Sequence, residues 1–273
     1  MTTTRVIALT GATDGLGRAL AERLADRRDH LLILHGRSPE RLARLRADLR
    51  DRAAEVVTVR ADLSEVAQVH ALATEISAVT GRLDVLVNNA GVGGGEPDGV
   101  DRRLTADGNE LRLAVNYLAP FALTRDLLPL LRAGAPARVV NVASIGQSPI
   151  DVDDLTMAHG YSGTRAYGRS KLALIADGFT LASELPAQEV TVNSLHPGTY
   201  MPTKMVLESV GHSIDSLESG VEATLRLIED PALEGVTGRF YNGLREARAM
   251  DDAYRPEFRE RLRAVSEELV ARG

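Results

Sequence analysis

The sequence predicts an α/β fold, a doubly wound parallel sheet of about seven strands with helices on both faces. Three observations carry this expectation. Short, continuous apolar runs recur through the 273 residues, separated by amphipathic helical patterns. Strands that are apolar throughout, rather than alternating, belong to sheets covered on both faces. The first such run passes directly into a glycine-rich turn and a helix, which is how a β-α unit meets an anion. No linker, repeat or low-complexity stretch breaks the alternation, so one domain over residues 1–273 is expected.

Taken in order, Val6 to Thr10 reads as the first strand. Its helix runs from Gly15 to about Arg27, with Leu20 and Leu24 inward and Arg18, Glu22 and Arg23 outward. Leu31 to His35 is the second strand, and Ser38-Pro39 then reads as the cap and first residue of a helix. Val56 to Val59 is the third strand, with Ser64 placed to cap the next helix. Val85 to Val87 is the fourth. A long helix from about Leu111 to Leu131 carries Asn116. Val139 to Val142 is the fifth strand, followed by a long helix from about Thr164 to Glu184 that carries Tyr167 and Lys171. Val190 to Leu195 is the sixth strand, and Gly238 to Tyr241 a short last one. Phe258, Leu262, Val265 and Leu269 line one side of a closing helix.

Composition narrows the functional classes. A net charge of −6 argues against a nucleic-acid footprint. The arginines are scattered among acids on helix faces. The absence of cysteine excludes disulfides and thiolate metal sites. None of the six histidines has metal-ligand spacing, so no metal is expected. No apolar run approaches the ~20 residues needed to span a bilayer, and no signal peptide is evident. The expectation is a cytoplasmic protein without a membrane or nucleic-acid partner.

The pair with chemical content is Tyr167 and Lys171. Only two of the 32 basic residues are lysine, Lys171 and Lys204. On a helix, residues four apart share a face. An ammonium near a phenol favours the phenolate and makes tyrosine a usable acid/base. The glycine turn Gly11-Ala12-Thr13-Asp14-Gly15-Leu16-Gly17 is suited to a pyrophosphate at a helix N-terminus. Asp62, Asn88 to Gly91, Ser144 and Pro197-Gly198 also fall at the carboxyl ends of expected strands, where open α/β sheets bind ligands.

Together these motifs resemble the short-chain dehydrogenase/reductase family, over nearly the whole chain and in its compact single-domain, Rossmann-type branch. Thr10-Gly11-x-x-x-Gly15-x-Gly17 is similar to the family's cofactor turn, Asp62-Leu63 to its adenine-site acid, and Asn88-Asn89-Ala90-Gly91 to its central strand-end motif. Asn116, Ser144, Tyr167 and Lys171 match its catalytic tetrad in order. The stretch from Ile150 to Leu155, with Tyr161-Ser162 and Ala166-Tyr167, looks like the retinol-dehydrogenase and protochlorophyllide-reductase-like subgroup. The resemblance implies that Ser144 hydrogen-bonds the substrate oxygen and Tyr167 gives or takes its proton. Lys171 would bind the nicotinamide ribose and keep the tyrosine pKa low, and Asn116 would bend its helix and hold a water linking Lys171 to solvent. The implied cofactor contacts are Gly11, Thr13, Asp14, Gly15, Leu16, Gly17, Asp62, Leu63, Asn89, Ala90, Gly91, Tyr167, Lys171, Pro197 and Gly198.

One departure lies after Pro197-Gly198. Where the family often has threonine, this chain has Pro202, with Thr203 one residue later, and the cofactor contact is carried to Thr203. Tyr200, Met201, Met205, Val206, Leu207 and Val210 make an apolar loop where the family's substrate lid lies, at about 199–216; the alternative is that they pack on the sheet. The implied activity is hydride transfer between nicotinamide and a carbonyl or secondary alcohol of an apolar small molecule. A homo-oligomer, dimer or tetramer, is compatible with the resemblance. The alternatives are a catalytically inert dinucleotide-binding sensor and a sugar-nucleotide-modifying member of the wider fold.

Cofactor choice is read at the end of the second strand. NAD-specific folds place an acid there for the ribose hydroxyls, and here Gly36 stands in its place, followed by Arg37. An arginine can fork onto a 2′-phosphate. NADP(H) is expected, with NAD as the alternative. Two features oppose it: Asp14 lies near the same pocket, and Arg37 could pair with Glu40 instead.

Overall fold

A computed structural model describes residues 4–95, 100–202 and 211–273. Its strands are β1 (Arg5–Leu9), β2 (His30–Gly36), β3 (Glu55–Arg60), β4 (Val85–Asn88), β5 (Ala137–Val142), β6 (Val190–His196), β7 (Arg239–Asn242) and β8 (Arg245–Ala247). They form one sheet in the order β3-β2-β1-β4-β5-β6-β7-β8. All pairings are parallel except β7 with β8. The winding reverses between β1 and β4, which opens a crevice at their carboxyl ends.

The eighth strand is one more than the sequence implies. It has no apolar run, since Arg245 and Glu246 are exposed on a three-residue edge strand. It pairs with β7 through a tight hairpin in which Gly243 takes φ +57°, a conformation glycine adopts without steric cost.

The continuous apolar character of the strands is explained by two cores. Successive side chains of β1 point to opposite faces. Val6 and Ala8 pack with Leu72, Ile76, Leu123 and Leu127 on one face. Ile7 and Leu9 pack with Leu20, Leu24, Leu45 and Leu227 on the other. The helices are α1 (Gly15–Leu24), α2 (Pro39–Asp48), α3 (Val66–Val79), α4 (Leu111–Leu113), α5 (Ala119–Asp126), α6 (Leu128–Ala133), α7 (Gly163–Glu184), α8 (Leu217–Glu229) and α9 (Pro256–Val270). Among the described residues, no helix is long and apolar enough to cross a membrane.

Three local expectations are corrected. The long helix expected from Leu111 to Leu131 is instead α4, a π-helical segment (Ala114–Leu118), α5 and α6. Pro120 lacks the N–H that would reach Asn116, and Ala119 N–H bonds back to Ala114, one residue further than in an α-helix. Ser64 does not cap α3: that helix starts at Val66, whose N–H donates to Asp107 Oδ2 at 2.8 Å. Helix α8 has no counterpart among the expected elements. Its signal was present in Ser216, whose hydroxyl caps Ser219 N–H, and in the buried stripe Val221, Thr224, Leu227 and Ile228.

The closing helix α9 packs Phe258, Leu262 and Leu269 against Leu172, Ile175 and Phe179 of α7. Its Ser266 meets Tyr117 of the π segment at 2.7 Å. On the other side of that segment lies a buried charge network. Arg112 is fully buried, donating through Nε to the Gly93 carbonyl at 2.7 Å and through Nη1 to Tyr161 Oη at 2.7 Å and Glu110 Oε1 at 3.3 Å. Tyr161 in turn donates to Glu110 Oε1 at 2.8 Å, and burial together with Glu110 pushes its phenol pKa up. The network ties the loop after β4 to the start of α7.

Removing one partner of a buried ion pair strands the other charge, at a cost of about 3–5 kcal/mol. Arg112→Leu is therefore expected to lower the unfolding free energy by that amount in urea titrations. A loss under about 1 kcal/mol, typical of an ordinary substitution, would show the pair to be dispensable.

Candidate active site

The glycine turn between β1 and α1 is built by close approach. Gly11 has φ +68° and Gly15 φ +50°. A Cβ on Gly17 would stand 2.1 Å from the Gly11 carbonyl oxygen, and one on Gly11 would stand 2.8 Å from Ala90 Cα. The motif after β4 supports this turn. Asn89 Nδ2 donates to the carbonyls of Thr10 at 2.8 Å and Gly11 at 3.2 Å, and the N–H groups of Asn89 and Ala90 both donate to Thr10 Oγ1. Buried His35 completes the cradle. Gly11 N–H donates to its Nδ1 at 3.3 Å, so Nε2 carries the proton toward the Ala61 carbonyl at 3.1 Å. Burial holds this imidazole pKa down, in keeping with a neutral ring. The result is a narrow backbone cradle opening onto a helix N-terminus, which fits a dinucleotide pyrophosphate.

The adenosine side lies at the ends of β2 and β3. Gly36 is enclosed: a Cβ there would stand 2.6 Å from Thr13 Cγ2 and 3.1 Å from Leu42 Cδ2. A carboxylate at this position would require Thr13 to move. Arg37 is 72% exposed, with Nη1 3.8 Å from Asp62 Oδ2. It is not paired with Glu40, which accepts from Ser38 Oγ at 2.6 Å. Asp62 is fixed through Oδ1, which accepts from Ser64 N–H at 3.0 Å. Leu63, expected at the cofactor, sends its side chain into the core beside Val59 and Val69. Asp14 is paired rather than free, with Oδ1 capping Gly15 and Oδ2 3.0 Å from Arg41 Nη1.

Ser144, Tyr167 and Lys171 come together at the ends of β5 and β6. Ser144 Oγ accepts from Gly146 N–H at 3.0 Å, and its hydroxyl draws the Tyr167 phenol pKa down. Lys171 Nζ lies 5.7 Å from the Tyr167 ring centroid and donates to the Val142 carbonyl at 2.9 Å. Asn116 spends its hydrogen bonds on the loop after β4 and on Ser170. Its Oδ1 accepts from Val92 N–H at 2.8 Å, and its Nδ2 donates to the Val92 carbonyl at 3.1 Å and to Ser170 Oγ at 3.0 Å. Gly91 fills the gap beside them, since a Cβ there would stand 3.2 Å from Asn116 Oδ1 and 3.5 Å from Lys171 Nζ.

The electrostatics correct one expectation. The sequence suggested that Lys171 lowers the Tyr167 pKa. Instead, burial pushes the phenol up, and the opposing pull comes from the Ser144 hydroxyl. Burial also brings Lys171 down to about 8. The Lys171 ammonium is directed to a backbone carbonyl and has no part in the shift of the phenol.

After β6, Pro197-Gly198 leads into a closed neck. Thr199 N–H donates to Asp215 Oδ2 at 2.6 Å, Ile214 N–H to the Tyr200 carbonyl at 3.0 Å, and Asp215 N–H to the Thr199 carbonyl at 3.0 Å. Tyr200 takes φ +46° at this neck, a costly conformation for an aromatic residue. His196 is buried, as its strand-end position suggests, with Nε2 3.1 Å from Thr199 Oγ1. Thr203, Met205, Val206, Leu207 and Val210 lie outside the described residues. Ile145, next to Ser144, and Tyr200 and Ile214 at the neck are exposed apolar side chains.

Sequence reasoning gave no site role to His35, Arg41, Glu110, Arg112 or Asp215. His35 could have been suspected as a polar residue inside an apolar strand. Arg41 and Asp215 carry no local signal, because their partners are distant in sequence, whereas Glu110 caps α4 and pairs with nearby Arg112.

The short chain dehydrogenase family profile matches residues 5–212. Human retinol dehydrogenase 14 is 31% identical, over 97% of this chain and 86% of its own length. Mouse polyprenol dehydrogenase is 35% identical, over 98% of this chain and 84% of its own. Among solved structures, the Pseudomonas aeruginosa RhlG/NADP active-site complex superposes with a TM-score of 0.71 at 27% identity, covering 88% of this chain and 94% of that one. A short chain dehydrogenase from Shigella flexneri, complexed with NADP, gives 0.68 at 26% identity, covering 88% and 97%. The chain thus belongs to the short-chain dehydrogenase/reductase family, as an NAD(P)-dependent oxidoreductase of its retinol-dehydrogenase-like subgroup.

Proposed function

We propose that the protein is an NADP(H)-dependent oxidoreductase that interconverts a carbonyl and an alcohol on an apolar small molecule, with Tyr167 as the acid/base. The observation that carries this reading is the convergence of Ser144 and Tyr167 at the carboxyl end of β5, with Lys171 5.7 Å from the tyrosine ring. A bound nicotinamide dinucleotide supplies or accepts the hydride. The glycine turn, Asn89, Ala90 and Gly91 would hold it along the crevice, with Lys171 toward the ribose and Pro197-Gly198 beside the nicotinamide. In the reducing direction, Ser144 holds the substrate oxygen and the protonated Tyr167 delivers its proton to it. The raised phenol pKa suits that direction, because it keeps the proton in place at neutral pH.

Support for an apolar substrate comes from exposed Ile145, Tyr200 and Ile214. The relatives named for retinol and polyprenol point the same way. Support for NADP(H) comes from exposed Arg37 beside an enclosed Gly36, and from two neighbours solved with NADP. The first test is a turnover screen with NADPH and NADH against apolar ketones, aldehydes and the matching alcohols.

Tyr167→Phe should keep cofactor binding and lose turnover by about 10²–10⁴-fold, the usual contribution of a general acid/base. Activity within a few-fold of wild type would end the assignment. For the cofactor, a charge-assisted contact of about 1.5–3 kcal/mol corresponds to roughly a ten- to hundredfold preference for NADPH over NADH. Arg37→Ala should remove most of that preference in steady-state kinetics, and an unchanged NADPH affinity would exclude Arg37 from the 2′-phosphate.

Lys171 generates a pH prediction. A pKa lowered to about 8 means the ammonium is present below that pH and lost above it. Reductive kcat/KM, which reports the free enzyme, should therefore fall as pH rises through about 8. Lys171→Met should be weaker throughout and lack this transition. The same transition persisting in an active Lys171→Met enzyme would assign it to another group.

A further inference from the structure

Ala143 N–H still bonds to the sheet, donating to the Leu195 carbonyl at 2.7 Å, and Ser144 follows it into a loop. Ile145 and Gly146 in that loop are exposed. The primary amide of Gln147 is bonded at both ends. Its Nε2 donates to the Ser144 carbonyl at 3.1 Å, and its Oε1 accepts from Met250 N–H at 2.8 Å. A carbonyl needs a donor and an N–H needs an acceptor, so both partners require this orientation of the amide. A carboxylate of the same length would satisfy Met250 and repel the serine carbonyl. Met250 is anchored in its turn. It leads into a 3₁₀ turn (Asp251–Tyr254), in which Ala253 is buried and the Tyr254 ring lies 5.0 Å from that of Phe179 on α7. Ala249 N–H donates to Tyr254 Oη at 3.1 Å. On the other side of Gln147, Ser148 is pressed against α7 beside Tyr167. A Cβ on Gly168 would stand 2.4 Å from Ser148 Oγ. The backbone of Ser144 is thus tied through one side chain to a segment 103 positions from Gln147.

The geometry points to Gln147 as a positioning residue, which holds the Ser144 backbone against the Met250 segment and so keeps the serine hydroxyl beside Tyr167. The inference rests on the acid/base reading of Ser144 and Tyr167 above and deepens it. Ser144 Oγ accepts from Gly146 N–H at 3.0 Å, so the hydroxyl and carbonyl of the serine are both bound within one four-residue turn. Removing the Gln147 amide frees the carbonyl end of that turn. A misplacement of about 1 Å in a reacting group can cost on the order of a hundredfold in rate. The glycine turn that would hold the dinucleotide lies at β1, so cofactor binding does not depend on this tie.

The test is a double-variant cycle of Gln147→Met and Ser144→Ala, read as kcat with a carbonyl substrate that wild type turns over and as NADPH affinity by titration. Gln147→Met should lower kcat by about tenfold or more and leave NADPH affinity within a few-fold. In the Ser144→Ala background it should cost little more, because residues that act as a unit are not additive. Met250→Pro probes the other end of the tie. Met250 takes φ −58° and ψ 145°, which proline also adopts, so this change deletes the N–H that Gln147 accepts and keeps the backbone path. Its kcat should fall in the same direction as that of Gln147→Met. The same fold loss from Gln147→Met with and without Ser144 would overturn the inference, by making Gln147 an independent support of the fold. So would a loss of NADPH affinity as large as the loss of kcat in Gln147→Met. Wild-type kcat in Gln147→Met, or in Met250→Pro, would overturn the tie and leave the acid/base reading standing. Wild-type kcat in Ser144→Ala would overturn the role given to Ser144 and this inference with it.

Discussion

The alignment of the crevice depends on the hydrogen bonds of Asn116. Its side chain clamps the Val92 backbone from both sides and reaches Ser170 on α7. Ser170 bonds in turn to the Tyr167 carbonyl at 2.7 Å. The loop after β4 and the helix carrying Tyr167 and Lys171 are thus joined by one buried amide. Gly91 sits between them, where a Cβ would crowd Asn116 Oδ1 at 3.2 Å. The clamp is set by a sequence feature four residues away. Pro120 opens the helix into a π turn at Asn116, and the fully buried Arg112 secures the same loop at Gly93.

The two halves of the crevice are electrostatically unlike. On the reacting side Ser144 and Lys171 are buried, and the Lys171 ammonium meets a backbone carbonyl. Burial there raises the tyrosine and lowers the lysine, so both groups are drawn toward their neutral forms. The nucleotide side is exposed and paired, with Arg37 and Arg41 each facing an acid across the end of β2. Exposed pairs exchange partners readily, while burial holds the phenol in its protonated form. A proton donor needs the second property, and an anion-binding surface the first.

Much of this could be read from the sequence, for physical reasons. Buried parallel strands must be apolar on both faces, so Val6 to Leu9 and Val190 to Leu195 announce themselves. Glycines forced by close approach, such as Gly11 and Gly17, mark the cradle. What the sequence could not supply were pairings across long separations. Asp107 caps α3 from 41 positions away, and Arg41 meets Asp14 across 27. The π turn was encoded by Pro120, yet an apolar helical pattern continued through it and hid the break. The direction of the tyrosine shift was also beyond motif reasoning. It depends on where the Lys171 ammonium points and how deeply the phenol is packed.

The central claim is that Tyr167 is kept protonated by its surroundings, with Ser144 as the partner that restrains its pKa. An NMR titration of protein labelled at tyrosine Cζ tests it most directly, with the Tyr167 signal assigned from the Tyr167→Phe variant. The expected midpoint lies above that of an ordinary tyrosine, and moves further up in Ser144→Ala because the opposing pull of the hydroxyl is gone. A midpoint at or below the ordinary value, or one that Ser144→Ala leaves in place, would contradict it.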